Sequence, residues 1–164
     1  MPDKAFFVDM IYSNIGIIYK ICKLYAEGED REDLKQEIIF QLWRSYPGYR
    51  GDSKFQSWMY RVALNTAMLG LRARKIKYTG LSEPDLNQQE DPFEIQEEED
   101  RVKLLYTEIS KLKDLDKSII FLYLEECSYD EIAEITGIST KNVSVRLVRI
   151  RERLKKNLNI QNSR

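Results

Sequence analysis

A segment near the C-terminal end of the sequence constrains the fold more than any other. It begins with Ser128, followed three residues later by Glu131, which is the capping-box pattern that starts a helix. Gly137 stands where this helix has to end, because glycine adopts a left-handed C-terminal cap without strain. Ser139 or Thr140 then caps a second helix. The segment therefore predicts two helices joined by a tight turn.

The second helix of this pair is predicted to be basic on its exposed faces. Its buried stripe, at helical spacing, is Val143, Leu147, Ile150, Leu154 and Leu158. Its polar and mostly cationic surface is Lys141, Asn142, Ser144, Arg146, Arg149, Arg153 and Lys156. A basic helix after a capped helix and a glycine turn is typical of a DNA-reading helix-turn-helix, whereas a hairpin with a solvated basic face is the plainer alternative. Because turn, caps and charge agree, we expect this segment to bind DNA.

The distribution of charge predicts two modules. The whole chain carries a net charge of only −1, but residues 1–80 carry +4, residues 81–115 carry −7 and residues 116–164 carry +2. The acidic part includes Gly80, Pro84 and Pro92 among polar residues, which is typical of an extended, flexible linker. We expect modules at residues 1–78 and 101–164, joined by an acidic linker at 79–100.

Composition excludes several kinds of site. The chain has no histidine, which removes the usual general base and the commonest zinc ligand. Cys22 and Cys127 both lie in apolar helical contexts, so we expect two core cysteines in a reducing compartment, without a disulfide, metal or cofactor. Acids and lysines interrupt every apolar run and no signal peptide is visible. These features predict a cytoplasmic protein without membrane insertion.

The N-terminal module is predicted to be helical. Apolar spacing predicts one continuous helix over Phe6–Tyr25, with Gly16 as its weak point. A second helix, capped by Asp30, ends near Tyr46 because Pro47 disfavours helical backbone in its predecessor. The predicted buried stripe of this second helix is Leu34, Ile38 and Leu42. A polar loop with an exposed aromatic residue then leads into a third helix.

The third helix is predicted to start after Asp52 or Ser53. Phe55, Trp58, Val62 and Leu69 line one side of it, and Lys54, Arg61, Asn65 and Arg72 line a neighbouring side. These cations and amides, interleaved with Tyr49, Trp58 and Tyr60, suit single-stranded nucleic acid, because charge attracts phosphate and rings stack on bases. A core position for Trp58 remains the alternative.

The C-terminal module is predicted to add two helices beneath the helix-turn-helix. The first, from Arg101, has the apolar face Val102, Leu105, Ile109 and Leu112, and the second contains Ile119, Ile120, Leu122, Tyr123 and Leu124. No segment alternates convincingly between apolar and polar residues, so the predicted fold class is all-α.

Residues 33–65 and 115–154, in this order and at this spacing, resemble a bacterial sigma factor of the small extracytoplasmic-function group of the sigma-70 family. The resemblance extends over about Phe6–Leu158. It implies that Asp33, Gln36 and Glu37, which are polar positions off the buried stripe, dock on the clamp helices of core RNA polymerase. It also implies that an anti-sigma factor clamps the two modules.

The same resemblance implies two contacts with promoter DNA. The loop at residues 49–53 is similar to the family's pocket for a flipped base of the minus-ten element. The implied minus-ten contacts are Tyr49, Arg50, Lys54, Trp58, Arg61 and Asn65. The implied minus-thirty-five contacts are Lys141, Asn142, Ser144, Val145, Arg146 and Arg149. Arg61-Val62 stands where primary sigma factors carry two tryptophans, which implies that melting depends more on a good promoter match.

Three functions compete for this pattern. The first is a promoter-specificity subunit of RNA polymerase, which is not an enzyme. The second is a helix-turn-helix repressor acting without polymerase, which would need neither the acidic positions at 33–37 nor the aromatic and basic surface at 49–65. The third is a nucleic-acid-processing enzyme, which without histidine would need a carboxylate-bound metal, whereas the acids cluster in the linker. The sequence favours the first.

Overall fold

The computed structural model describes residues 3–78 and 97–162, and every regular element in those two ranges is helical. The elements are α1 Lys4–Ser13, α2 Ile15–Tyr25, α3 Asp30–Ser45, a 3₁₀ turn Tyr46–Gly48, α4 Phe55–Tyr78, α5 Glu97–Ser110, α6 Asp114–Leu124, α7 Tyr129–Thr136 and α8 Thr140–Asn162. They form two compact units, one of α1–α4 and one of α5–α8. The all-α prediction is confirmed.

The chain bends where one N-terminal helix was predicted. The prediction of a continuous helix over Phe6–Tyr25 is wrong, because α1 and α2 meet at Asn14 with a bend of 59°. The side-chain amide of Asn14 donates to the carbonyl of Met10 at 2.8 Å, and its oxygen accepts from Gln56 at 3.2 Å. Asn14 therefore holds the corner, whereas Gly16 lies inside α2.

Helix α3 begins one residue earlier than a cap at Asp30 would require. Asp30 is its first helical residue and Glu29 precedes it without a side-chain cap bond, so the predicted capping role of Asp30 is wrong. Gly28, at φ 56°, makes the turn into the helix, and acids in the first turn suit the helix dipole. The predicted stripe of Leu34, Ile38 and Leu42 is confirmed as buried.

Helix α4 packs against both α2 and α3 with a face that the apolar spacing only partly identified. Phe55 is buried, whereas Leu69, which the sequence places on the same apolar side, is 64% exposed. Trp58 and Val62 are half-buried. The centre of the buried face is Met59, Ala63, Leu64 and Ala67. Two of these are alanines, and small residues let neighbouring helices approach closely without contributing to an obvious apolar pattern.

The first helix of the second unit, α5, begins at Glu97, inside the proposed linker. The rest of the linker, residues 79–96, lies outside the described residues. Ile109 and Leu112 are buried as predicted, although Leu112 follows the end of α5, whereas Val102 is 52% exposed. In α6 the predicted Ile119, Ile120 and Leu122 are buried, Tyr123 is half-buried and Leu124 is 38% exposed. Val102 and Leu124 lie in the helices predicted for them, α5 and α6, but both are exposed.

The helix-turn-helix is formed by α7 and α8, and its predicted caps are confirmed. The Ser128 hydroxyl accepts from the backbone N–H of Glu131 at 3.1 Å, and Gly137 ends α7 at φ 78°. Of the two candidate caps for α8, Ser139 accepts from the backbone N–H of Asn142 at 3.1 Å. The predicted stripe on α8 is buried at Val143, Leu147, Ile150 and Leu154, and half-buried at Leu158.

A pair of glycine substitutions tests the turn. Gly137→Ala is expected to lower the free energy of unfolding by about 1 kcal/mol, because an L-residue in the left-handed region is strained. Gly16→Ala is the control, since Gly16 is helical with open space around it, and is expected to raise the same quantity by about 0.5 kcal/mol. Urea unfolding followed by circular dichroism measures both. Equal effects of the two substitutions would contradict the role assigned to Gly137.

Cys22 and Cys127 form no disulfide, and they differ in exposure. Cys22 is buried in α2, and burial raises the pKa of its thiol to about 11, so it stays protonated at neutral pH. Cys127 is half-buried, so the prediction of a core position for it is wrong. Within the described ranges no single helix is long and apolar enough to cross a membrane, and only the bent pair α1–α2 reaches that threshold jointly.

Candidate nucleic-acid interface

Helix α8 presents its polar side chains beside the buried stripe. Lys141, Asn142 and Arg149 are exposed, as is Val145 at 40%. Ser144 and Arg146 are half-buried. The row Asn142, Arg146 and Arg149 follows helical spacing and lies next to the stripe that packs on α6 and α7. The second unit thus displays one face of a basic helix, held rigidly by its apolar face.

One side chain of this row has a partner on another helix. A guanidinium nitrogen of Arg146, Nη1, donates to Oδ1 of Asp116 at 2.9 Å, which joins α8 to α6. The Arg146 side chain is 42% exposed and that of Asp116 is 24% exposed. Thirty residues separate the two in sequence, so no local pattern connects them. Arg146 therefore has an acidic partner within its own unit in the absence of DNA.

A second acid ties the two helices of the helix-turn-helix together. The hydroxyl of Thr140, at the start of α8, donates to Oδ1 of Asp130 in the first turn of α7 at 3.1 Å. Because Ser139 supplies the cap, the Thr140 side chain is available for this bond. The N-terminus of the basic helix is thereby fixed relative to α7.

In the first unit, aromatic rings gather between the 3₁₀ turn and the start of α4. The ring centroid of Trp58 lies 5.1 Å from that of Tyr49, 5.3 Å from that of Phe55 and 6.2 Å from that of Tyr46. Phe55 and Tyr49 meet edge to face at 5.7 Å. We call these four residues the aromatic cluster. The sequence left open whether Trp58 is a core residue or is exposed for stacking on bases. In the structure its ring packs on the neighbouring rings and is only partly buried.

The aromatic cluster fixes the loop that precedes α4. The Tyr49 hydroxyl donates to the carbonyl of Ser53 at 2.8 Å, which closes the loop on itself. Tyr49 is consequently half-buried, whereas the sequence predicted an exposed aromatic residue in this loop. Tyr60 is only 7% exposed, so its predicted part in stacking on bases is wrong.

Polar side chains surround this cluster on the exposed side. Arg50, Lys54, Arg61 and Asn65 are all exposed. Arg50 comes from the loop, Lys54 immediately precedes α4, and the other two follow at helical spacing along it. The side chain of Arg72, which the sequence added to this set, lies outside the described residues. The structure thus brings two half-exposed rings and three cations to one region of the first unit.

The predicted docking positions lie on the exposed side of α3. Asp33, Gln36 and Glu37 are exposed, on the side of the helix away from its buried stripe. Lys35 lies within the same segment, but its side chain contacts residues of its own unit. Its ammonium nitrogen lies 2.9 Å from Glu32 and 5.5 Å from the centroid of the Tyr19 ring. The hydrogen bond that Lys35 donates to Glu32 raises the pKa of Lys35, so the ammonium group stays charged and paired with Glu32.

Comparison with known proteins identifies the family of this chain. The family model of Sigma-70 region 2 matches residues 10–76, and that of Sigma-70, region 4 matches residues 103–154. RNA polymerase sigma factor YlaC of Bacillus subtilis (strain 168) is 32% identical over 139 residues, covering 79% of this chain and 78% of that protein. ECF RNA polymerase sigma factor SigW of the same organism is 28% identical over 169 residues, covering 95% and 90%. The chain belongs to the extracytoplasmic-function group of sigma-70 factors.

Solved structures share the fold of this sigma factor. RpoE from Bartonella quintana, in complex with the anti-sigma factor NepR, matches with a TM-score of 0.75 at 18% identity, covering 94% of this chain and 97% of that one. CnrH, in complex with the cytosolic domain of CnrY, matches with a TM-score of 0.69 at 20% identity, covering 97% and 91%. At these identities the likeness establishes the fold alone.

This sigma factor carries its three predicted surfaces on separate elements. The docking positions are on α3, the minus-ten positions are on the loop and α4, and the minus-thirty-five positions are on α8. Sequence reasoning missed Asp116, the partner of Arg146, and Phe40, a 55% exposed ring on the exposed side of α3. Helical spacing places Phe40 beside Gln36 and Glu37. From the sequence alone, however, an apolar residue at this position is interpreted as another residue of the core.

Proposed function

We propose that this sigma factor docks on core RNA polymerase through Asp33, Gln36 and Glu37 and delivers it to promoters. The observation that carries the proposal is the exposure of these three side chains on the face of α3 away from Leu34, Ile38 and Leu42. Polar groups that serve no core are available for a partner, and Phe40 adds an exposed apolar surface beside them. In this proposal residues 1–78 act as sigma region 2 and residues 101–164 as sigma region 4.

The minus-ten element is proposed to bind at the aromatic cluster. Extracting one base from the stack costs a few kcal/mol, which stacking on a ring and hydrogen bonding in a pocket can offset. Tyr49 and Trp58 each retain an exposed part, and the loop between them is closed by the bond from Tyr49 to Ser53. Arg50, Lys54, Arg61 and Asn65 are proposed to hold the backbone of the opened strand.

The minus-thirty-five element is proposed to bind along α8. Recognition helices place their N-terminal residues against base edges in the major groove. Asn142 and Arg146 are candidates for hydrogen bonds to base edges, and Val145 is a candidate for apolar contact with a thymine methyl group. Lys141, Ser144 and Arg149 are candidates for phosphate or sugar contacts. The cap at Ser139 and the bond from Thr140 to Asp130 fix the helix end that enters the groove.

Arg149→Ala tests the assignment of α8. The substitution is expected to weaken binding of the reconstituted holoenzyme to a promoter duplex by about tenfold and to lower the salt dependence by about one phosphate contact. Arg151→Ala is the matched control, because Arg151 carries the same charge on the same helix but lies 5.6 Å from the ring centroid of Tyr123. The duplex is first selected by wild-type holoenzyme from a randomised pool. Equal losses from both substitutions would contradict the proposed face.

The partners proposed for this factor follow from its kinship. Core RNA polymerase and promoter DNA are the partners of the function itself. The structures of RpoE and CnrH contain NepR and CnrY, and we propose that this factor likewise has an anti-sigma partner that controls it in the cytoplasm. It is proposed to act by binding and positioning, without catalysing a reaction of its own.

A further inference from the structure

The ion pair between Arg146 and Asp116 is placed where it can decide which DNA sequence α8 prefers. It joins the recognition helix to α6, the helix beneath it in the same unit, at 2.9 Å. The arginine keeps 42% of its side chain exposed while the carboxylate keeps 24%. The carboxylate of Asp116 is therefore the more buried member of the pair, and the guanidinium group of Arg146 is the more exposed one.

The contact uses one particular atom of the guanidinium group. Asp116 accepts from Nη1, which leaves the edge formed by Nε and Nη2 with two parallel N–H donors. Two parallel donors match the adjacent N7 and O6 acceptors of guanine in the major groove, and this is the commonest specific contact of arginine with a base. An arginine fixed on one edge thus offers the other edge in a defined orientation.

Order before binding matters because arginine has many rotamers. A free arginine loses that freedom when it contacts a base, and a side chain that is already ordered loses less. A free arginine also reaches phosphates, which carry no sequence information, whereas a fixed one does not. A carboxylate near DNA repels phosphates, so Asp116 lowers affinity for every sequence while it restricts what Arg146 can contact.

We propose that Asp116 is a positioning residue that sets base preference in the minus-thirty-five element by directing Arg146 at a guanine. The inference rests on the proposed contact between α8 and that element. It assigns to α6 a part in recognition, although α6 itself makes no proposed contact with DNA. Partly exposed ion pairs contribute little to stability, so a structural role alone gives a poor account of the pair.

The test measures preference and affinity together. Full-length sigma factor is combined with sigma-free core polymerase and a pool of duplexes randomised across the upstream element, and the bound fraction is sequenced. Asp116→Asn is expected to reduce the preference for guanine at one base pair by about tenfold, while binding to non-promoter duplex rises. Asp116→Glu is expected to restore part of the preference, because it restores the charge.

Two further variants separate the possible failures. Asp114→Asn removes an equal charge from the same turn of α6, outside the pair with Arg146, and is expected to leave the preference unchanged. Arg146→Ala is expected to abolish the preference that Asp116→Asn weakens. If Asp116→Asn raised binding to all duplexes with preferences intact, Asp116 would only shield Arg146 and the inference would be overturned. If Arg146→Ala changed nothing, the proposed DNA contact of Arg146 would fail, and this inference with it.

Discussion

The double substitution Gln36→Ala, Glu37→Ala is expected to lower the affinity of this sigma factor for core RNA polymerase by about tenfold or more, since a few central residues carry most of the energy of an interface. Both side chains are exposed, and alanine is the best helix former, so α3 should stay intact. The double substitution also removes the hydrogen bond from Gln41 to Glu37 at 2.9 Å, which joins an exposed pair worth about 0.2–0.5 kcal/mol.

The control is Glu27→Ala, which also removes one carboxylate from the first unit. Glu27 is exposed and precedes α3, outside the proposed docking face. Association is measured by titrating core polymerase into fluorescently labelled sigma factor and following the anisotropy. Unfolding curves of all three proteins should coincide within about 0.5 kcal/mol, as expected for surface changes. Unchanged affinity of the double variant, or an equal loss in the control, would remove α3 as the docking site.

What the sequence could predict depended on how local the cause is. The caps at Ser128, Gly137 and Ser139 were predictable because each acts on backbone groups within three or four residues. The buried stripe of α8 was predictable because one side of that helix packs on α5, α6 and α7 while the opposite side is exposed. In both cases the cause is local, so it can be recognised within a single segment of the sequence.

Predictions failed where the cause is distant in sequence. The buried face of α4 is set by two helices that pack on it, and its centre is occupied by alanines that carry little apolar signal. The corner at Asn14 depends partly on Gln56, forty-two residues away. Asp116 and Arg146 are thirty residues apart, and only folding reveals that they meet. The candidate surfaces combine both kinds of cause, because the helices that carry their residues could be predicted from the sequence, whereas partners such as Asp116 could not.

Trp58→Ala is expected to lower the free energy of unfolding by about 3 kcal/mol, the lower end of the range for a large aromatic residue, because the ring is only half-buried. The loss arises from its contacts with Tyr46, Tyr49 and Phe55. The other tryptophan provides the comparison. Trp43 is 44% exposed and its ring meets Phe7 at 5.1 Å, so Trp43→Ala is expected to cost about 1 kcal/mol. Urea unfolding followed by circular dichroism measures both.

The same residue links stability to promoter opening. Tyr49 is held between Trp58 and its hydrogen bond to Ser53, so removing the indole releases one side of the proposed base pocket. Trp58→Phe keeps a ring at this position and is expected to retain most of the stability and most of the opening activity. Opening is measured as transcription from duplex and from pre-opened templates at a temperature where every variant is folded. A defect of Trp58→Ala confined to duplex template would locate the loss in opening, because a pre-opened strand does not require a base to be extracted. Equal defects on both templates would instead mean that Trp58 acts at a step that both templates share, and would contradict a role in extracting a base from the duplex.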